Sequence, residues 1–306
     1  MGAEPSDKTE HAVAVTGAGG FLGGLIAHAL ADAGHRVIAL GRHAPIVGDR
    51  RIVSLAWDGR TEAPSNLRVD VVVDCAAAIP ARLPDPDLLM ATNVALARGA
   101  IELAARSCGR VVFMSSQSAI GRVAVPVIDE LTPCAPDTPY GHAKLQAERM
   151  LADSVATGTL AGAVALRLPA VVGVGSHDNF PSAVAARLVA NDTVTVFNPD
   201  GPYNAVVHAS SVARFAHHLI VAAGERFDAV SLASRPPITV ADAVRAIADG
   251  LGVVPRFVTE TARHPSPIID PSGAVALGYR PEAVDAALRR YGAETRIAIA
   301  TPPPPR

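Results

Sequence analysis

A short glycine-rich segment near the start of the chain constrains its fold more than any other feature. Gly17, Gly20 and Gly23 stand between an apolar run at 11–15 and a helix-like run at 25–33. At a strand-to-helix turn, such glycines allow the tight turn, the approach of backbone N–H groups to a pyrophosphate, and close packing of the helix on the sheet. Glycine collects in turns of every kind, so the flanking strand and helix carry the argument. The segment predicts a dinucleotide-binding turn.

Composition narrows the class of protein. The chain has 306 residues, of which 49% are hydrophobic, and a formal net charge of -2. That length suits one large core, or a nucleotide-binding half and a smaller second half. Near-neutral charge argues against nucleic acid or an anionic membrane surface as the main partner. Three cysteines without a C-x-x-C pair predict free thiols, a reducing compartment and no bound metal: Cys75, Cys108 and Cys134.

No secretory leader is recognisable at the N-terminus, and we see no run near the ~20 apolar residues of a membrane span. The sequence therefore predicts a cytoplasmic protein with no membrane partner. Residues 1–10 and 297–306, the second ending in four prolines and an arginine, are expected to be flexible tails.

Apolar strand-like runs alternate with helix-like stretches through the first half. The strands are predicted at 13–16, 37–40, 52–56, 69–75, 111–115 and 163–168, and the main helices at 21–33, 88–107 and 140–156. Continuously apolar strands are buried on both faces, and the alternation predicts right-handed crossovers. The fold class is therefore α/β, with a doubly wound parallel sheet (a Rossmann domain) at 11–170.

After Pro169 the pattern loosens, which predicts a smaller α/β lobe at 171–296. It mainly binds substrate at the open end of the sheet, although some of its elements can return to the Rossmann sheet. A short strand is expected at 193–197. Helices are expected at 181–190, at 212–223 with Ser210 or Ser211 as its cap, at 243–251 after a cap at Thr239, and at 281–291 with Pro281 in the first turn.

The end of the second strand bears on the choice of dinucleotide. An acidic residue there would bond the ribose 2′-hydroxyl of NAD, but the position is Gly41 and Arg42 follows. A guanidinium suits a 2′-phosphate, so NADP(H) is favoured and NAD(H) stays possible; a solvated surface arginine is the alternative. Asp58, after the third strand, can accept a bond from adenine or simply cap a loop.

Two later segments carry the chemistry. A buried strand ends in Ser115 and Ser116, and Tyr140 and Lys144 follow four residues apart, on one face of a helix. A free tyrosine titrates near ~10 and needs a neighbouring cation to exchange protons at neutral pH. The ammonium of a lysine and a positive nicotinamide supply that charge, while a serine hydroxyl holds a carbonyl oxygen. Together with the glycine-rich turn, these residues predict hydride transfer.

With these motifs the chain resembles the extended short-chain dehydrogenases/reductases, the NAD(P)-dependent epimerase/dehydratase type that acts mainly on nucleotide sugars. The resemblance covers roughly 11–290. Its motifs are Thr16-Gly17-Ala18-Gly19-Gly20-Phe21-Leu22-Gly23, Asp74-Cys75-Ala76-Ala77, Thr92-Asn93-Val94, Ser115-Ser116 with Gly121, Tyr140-x-x-x-Lys144, Leu166-Arg167-Leu168-Pro169 and Val206-Val207-His208.

The resemblance implies roles for these residues. Tyr140 is the acid/base, Ser116 holds the substrate carbonyl, and Lys144 orients the nicotinamide ribose and tunes Tyr140. The cofactor-binding set is Gly17, Gly20, Phe21, Leu22, Gly23, Arg42, Asp58, Ala76, Ala77, Asn93, Tyr140, Lys144 and Pro169. The substrate-binding set is Ser116, Gln117, Asn179, Arg187 and Asn204. A homodimer through the helices at 88–107 and 140–156 is also implied.

Departures from the family pattern leave several functions open. Asn204 stands where many members have an arginine that grips the substrate diphosphate, and Arg187 can compensate. Gln117 and Ser118 replace the acids of related dehydratases, which disfavours dehydration. The leading hypothesis is an NADPH-dependent ketoreductase of a keto-sugar nucleotide or a similar small polar ketone. The alternatives are an NAD-dependent nucleotide-sugar epimerase and a non-catalytic dinucleotide-binding sensor.

Overall fold

The structure, a computed structural model, describes residues 10–44, 49–222, 224–261 and 267–301. The chain divides into two compact units. One comprises the chain up to Met114 with Ala143–Ala165 and Ala213–Asp228, and the other comprises Ser115–His142, Leu166–Val212 and the chain from Ala229 onward. The two units alternate along the sequence. The division into a Rossmann domain at 11–170 and a mainly substrate-binding lobe at 171–296 stays a prediction.

Eight helices and fifteen strands are found in the described residues. The helices are α1 Phe21–Asp32, α2 Pro86–Ala105, α3 Pro139–Ala156, α4 Phe180–Val189, α5 Ala209–Ala222, α6 Val240–Leu251, α7 Ser272–Ala276 and α8 Val284–Ala300. The strands are β1 Ala12–Thr16, β2 Arg36–Gly41, β3 Ile52–Ala56, β4 Val71–Asp74, β5 Arg110–Ser116, β6 Val127–Ile128, β7 Gly162–Leu168, β8 Ala170–Val172, β9 Val194–Phe197, β10 Pro202–Tyr203, β11 Val206–His208, β12 Phe227–Ser231, β13 Ile238–Thr239, β14 Phe257–Glu260 and β15 Ile268–Ile269.

The central sheet has seven strands in the order β12-β7-β5-β4-β1-β2-β3. The chain starts in the middle at β1, runs outward through β2 to β3, and then returns to β4 on the other side of β1. The ladders joining β1 to β2, β1 to β4, β2 to β3 and β4 to β5 are all parallel. The Rossmann fold class is confirmed, and ligands of such sheets bind where the strand order reverses, outside the carboxyl ends of β1 and β4.

The late helices differ from their predicted bounds at two starts. Helix α5 begins at Ala209, so Ser210 and Ser211 lie inside it and the predicted cap is wrong. The ring of His208 replaces the cap, because its Nδ1 accepts the backbone N–H of Ser210 at 3.2 Å. Helix α8 begins at Val284, beyond Pro281, and continues to Ala300 through part of the predicted tail.

Helix α6 begins at the predicted cap. The Thr239 hydroxyl accepts the backbone N–H of Asp242 at 3.0 Å, and Gly252 ends the helix in a left-handed conformation with φ of 75°. The apolar face of α6 packs against α4, α8 and β9 around fully buried Ile247 and Leu288. This packing is the core of the second unit.

Among the described residues, α2 alone has the length and apolarity that crossing a membrane requires. The expectation that no run comes near this length was therefore wrong for α2. The most apolar stretch of α2 is 44% buried inside the protein. Core helices pass the same test, so this observation is no sign of a membrane span.

Three histidines lie together in the first unit. The ring of His35, which is 7% exposed, lies with its centroid 5.7 Å from that of His11 and 5.2 Å from that of His217. Burial lowers the pKa of His35, and the neighbouring His217 and His11 lower it further. Burial also lowers the pKa of His217. A histidine pKa that is lower in the folded state means that the unfolded chain takes up protons first as pH falls below ~6.5.

We therefore expect His35→Asn to lose less free energy of unfolding between pH 7.5 and 5.5 than the wild type. Asparagine keeps an acceptor for the His11 backbone N–H, which His35 Nδ1 accepts at 3.3 Å, but it takes up no proton. Denaturant unfolding at the two pH values measures the difference. His43→Asn, at an exposed position, is the matched control, and an equal loss in both variants contradicts the expectation.

Candidate active site

The glycine-rich turn has the close contacts that its sequence requires. Gly17 follows β1 with φ of 63°, and a Cβ on it would lie 2.8 Å from the backbone of Cys75 and Ala76. A Cβ on Gly23 would press on the carbonyl oxygen of Gly17. The turn therefore fits only glycine at both positions, and it packs directly on the end of β4.

Helix α1 starts at this turn with its N-terminal N–H groups available. Gly20 is the N-cap and no side chain caps it within the described residues, while Phe21 and Leu22, half buried, form the first turn. The Gly20 N–H bonds the Gly17 carbonyl at 2.9 Å, which closes the loop. A pyrophosphate fits such a helix start, because exposed N–H groups and the helix dipole both favour an anion.

The residues predicted to select the dinucleotide lie at the ends of β2 and β3. Arg42 is exposed directly after Gly41, the last residue of β2. The Asp58 carboxylate accepts the backbone N–H groups of Arg60 and Thr61 at 3.0 and 2.9 Å. These bonds, that of Thr61 first, lower the pKa of Asp58 to about 2. Asp58 thus shapes its own loop, and its contact with adenine stays a prediction.

The loop after β4 is fixed by Asn93 of α2. Its Oδ1 accepts the Ala78 N–H at 3.1 Å, and its Nδ2 donates to the Ala78 and Leu89 carbonyls at 3.0 and 2.9 Å. Asn93 is 5% exposed. It therefore positions the backbone that carries Ala76 and Ala77, and a direct contact of its amide with the cofactor stays a prediction.

Thr16 and Asp74 end neighbouring strands β1 and β4 in register. Thr16 Oγ1 donates to Asp74 Oδ1 at 2.5 Å, and Asp74 is 1% exposed. Both residues belong to the sequence motifs, but no role was predicted for either of them. A signal for the pair was present in the sequence, since each ends an apolar strand in a polar side chain.

Ser116 ends β5 and caps the single 3₁₀ turn Gln117–Ala119. Its Oγ accepts the Ser118 N–H at 3.1 Å, so its own hydrogen can be donated elsewhere. Gln117 donates from Nε2 to the Arg167 carbonyl at 3.0 Å, and its Oε1 is buried with no partner among the described residues. A Cβ on Gly141 would press on the Ser118 carbonyl oxygen, so the start of α3 lies directly against this turn.

Tyr140 and Lys144 lie on α3, whose first turn is capped by Thr138: its hydroxyl accepts the Gly141 N–H at 3.1 Å. Lys144 is 3% exposed, donates to the Met114 carbonyl at 2.7 Å, and lies 4.5 Å from the centroid of the Phe113 ring. The four-residue spacing places both side chains on one face of the helix, as predicted.

The predicted substrate-binding residues of the second unit have structural partners. Asn179 is the N-cap of α4, where its Oδ1 accepts the Ser182 N–H at 2.9 Å. Asn204, 2% exposed, donates to the Ile269 carbonyl at 2.7 Å and accepts the Ile269 N–H at 2.9 Å. Arg187 is exposed in the last turn of α4. Contacts of all three with a substrate stay predictions.

The fold and these residues define a class of protein. A doubly wound sheet with a glycine cradle at the strand-order reversal, and with Ser116, Tyr140 and Lys144 on β5 and α3, is that of an extended short-chain dehydrogenase/reductase. The chain matches the model of the NAD dependent epimerase/dehydratase family over residues 13–233. It belongs to that family, whose members are NAD(P)-dependent enzymes.

One curated relative matches over part of its sequence. UDP-glucose 4-epimerase 4 of Oryza sativa subsp. japonica is 31% identical over 167 residues, which are 47% of this chain and 45% of that protein. The chain thus matches less than half the length of that relative.

Solved structures match over nearly the whole chain. UDP-glucose 4-epimerase from Thermotoga maritima with UDP-glucose has a TM-score of 0.81 at 20% identity, covering 94% of this chain and 99% of that one. UDP-glucose 4-epimerase from Bifidobacterium longum with NAD+ and UDP has a TM-score of 0.77 at 21% identity, covering 95% and 99%. RMD from Pseudomonas aeruginosa with NADPH has a TM-score of 0.75 at 20% identity, covering 94% and 98%. These likenesses establish the fold.

Proposed function

We propose that the protein is an NADPH-dependent ketoreductase of a keto-sugar nucleotide. One observation carries the proposal: α3 is held against the end of β5 at two points, by Gly141 on the Ser118 carbonyl and by Lys144 on the Met114 carbonyl. Tyr140 lies on α3 beside Gly141, and Ser116 ends β5. Ser116 and Tyr140 therefore flank the contact between Gly141 and the Ser118 carbonyl, and Lys144 follows Tyr140 on the same helix by four residues.

The chain's own groups then move the proton. When bound, the dinucleotide supplies a hydride to the carbonyl carbon. Tyr140 donates its phenolic proton to the carbonyl oxygen, and the ammonium of Lys144 stabilises the phenolate that remains. Ser116 donates to the same oxygen, since its Oγ already accepts the Ser118 N–H.

Arg42 supports NADP(H) as the dinucleotide, because a guanidinium after β2 suits a 2′-phosphate and Gly41 offers no acid for a 2′-hydroxyl. We expect Arg42→Ala to weaken NADPH binding by about 10- to 100-fold, the value of one or two charge-assisted hydrogen bonds, and to leave NADH binding unchanged. Calorimetric titration with each dinucleotide measures this. An unchanged ratio of the two dissociation constants contradicts NADP(H) selection, and Arg50→Ala, also exposed and close in sequence, is the matched control.

A nucleotide-sugar epimerase is the second candidate, favoured by the rice relative, which is named a UDP-glucose 4-epimerase. Incubation of the purified protein with NADPH and a panel of keto-sugar nucleotides tests the first function by loss of absorbance of the reduced nicotinamide. Retained NAD+ on purification, and interconversion of UDP-sugars without NADPH consumption, would instead identify an epimerase.

A pyrophosphate-bearing substrate needs a cation, and Arg187 is the candidate in the second unit. Asn179 and Asn204 bond the backbone of Ser182 and Ile269, and their contacts with the substrate stay predictions. A homodimer and a cytoplasmic location stay predictions.

A further inference from the structure

Asp74 is a buried carboxylate at the reversal of strand order that the proposed reaction does not use. Besides the hydroxyl of Thr16 at 2.5 Å, the backbone N–H of Ala76 donates to its Oδ1 at 3.2 Å. Its Oδ2 is buried and has no hydrogen-bond partner among the described residues. Such a group is costly unless an opposite charge lies near it.

Lys144 provides that charge. Asp74 on β4 is in register with Phe113 on the adjacent strand β5, and the ammonium of Lys144, which belongs to α3, lies over the Phe113 ring. The lysine therefore contacts the strand that neighbours Asp74. Both side chains are almost fully buried, at 1% and 3% exposure. Electrostatic interaction between two charges is strong where water is excluded.

The pKa of Asp74 is raised overall, and the groups around the carboxyl act on it in opposite directions. Burial raises the pKa of Asp74, whereas the Thr16 hydrogen bond, the charge of Lys144 and the Ala76 N–H lower it. Two donors converge on Oδ1 of Asp74, an arrangement that stabilises the ionised form. The neighbouring Cys75 thiol stays protonated, because burial and then the charge of Asp74 raise its pKa.

We propose that Asp74 is the buried counter-charge of Lys144 and that it thereby sets how the site discriminates between the cationic oxidised nicotinamide and the neutral reduced one. The inference rests on the proposed function, which places Lys144 beside the nicotinamide. Asp74 is a positioning residue in this scheme, since it acts through Lys144 and the turn that Thr16 begins. Without Asp74, one buried negative charge near Lys144 is lost, and the positive potential that the lysine exerts on a second positive charge rises.

The test compares dissociation constants of NADP+ and NADPH for the full-length protein by calorimetry. Asp74→Asn keeps the side-chain volume and an acceptor for Thr16 and Ala76 but removes the charge. We expect it to raise the ratio of the NADP+ to the NADPH constant by about tenfold, as one charge acting across several ångströms of protein does. Lys144→Met should lower the same ratio. Packing defects alone weaken both forms equally.

An unchanged ratio in Asp74→Asn overturns the inference. Asp70→Asn removes the same charge just before β4, at 56% side-chain exposure, and should leave the ratio as in the wild type. If Asp74→Asn does not fold, Thr16→Val is measured instead. Loss of the hydroxyl makes ionised Asp74 less favourable, so the ratio of the NADP+ to the NADPH dissociation constant should rise by a smaller factor. An unchanged ratio in this variant also overturns the inference. Failure of the proposed function is separate, because it shows as turnover retained in Tyr140→Phe whatever the ratio.

Discussion

Tyr140→Phe is expected to lower kcat by about 10²- to 10⁴-fold. The substitution removes one oxygen, and with it the proton that the substrate carbonyl receives. A rate loss of this size is the usual contribution of a positioned general acid/base. The ring stays, so the packing of α3 is kept. Steady-state rates with a keto-sugar nucleotide and NADPH measure the effect.

Binding and folding are the controls for this variant. The dissociation constant for NADPH should change far less than kcat, because the glycine cradle stays intact, and the thermal midpoint of unfolding should stay close to the wild-type value. Tyr203→Phe changes a tyrosine whose hydroxyl bonds the Ala205 carbonyl at 3.3 Å, within the second unit, and is the matched control for loss of a phenol. Turnover retained in Tyr140→Phe would refute the proposed mechanism.

Gly23→Ala should weaken dinucleotide binding by about 10- to 100-fold. The added Cβ presses on the carbonyl oxygen of Gly17, which is backbone and cannot rotate away, so α1 or the turn must shift. Overpacking of this kind costs ~1–3 kcal/mol, more than the ~1 kcal/mol of helix propensity that alanine gains. Calorimetric titration with NADPH gives the constant.

Gly19→Ala is the matched control within the same motif. A Cβ there meets no atom within 4 Å among the described residues, and Gly19 does not have a positive φ. We expect binding close to the wild type. Equal losses in both variants would show that the motif needs flexibility rather than the close approach of α1 to the turn.

The sequence predicted the central sheet well, for a physical reason. Strands buried on both faces are continuously apolar, so runs such as 13–16 and 37–40 stand out, and the observed strands Ala12–Thr16 and Arg36–Gly41 agree within one residue at each end. The glycine-rich turn was predicted equally well from the sequence, because its conformation excludes other residues at Gly17 and Gly23. Caps were harder to predict. His208 replaced a predicted serine cap at α5, and the orientation of its ring depends on a hydrogen bond of Nε2 to Glu294, 86 residues away.

Side-chain roles were harder to read than residue types. Asn93, Asn179 and Asn204 were predicted to contact ligands, which stays a prediction, and in the structure each also bonds backbone groups. An asparagine amide satisfies a buried N–H or C=O as readily as a ligand atom, and only the fold decides which is nearer. The bond of Asn179 to Ser182, three residues on, is a local helix cap, whereas Asn204 bonds Ile269 65 residues away, beyond any local pattern.

The sequence by itself determined the fold class and the glycine-rich turn, because both depend on local conformation, and it predicted Ser116, Tyr140 and Lys144 as the reacting set. Only the tertiary structure decided that Asp74 lies beside Thr16, and that Lys144 of α3 contacts the strand that neighbours Asp74. That arrangement comes from strand order and register, which bring residues 58 positions apart into hydrogen-bond distance, and burial then gives their charges a weight that no exposed pair has.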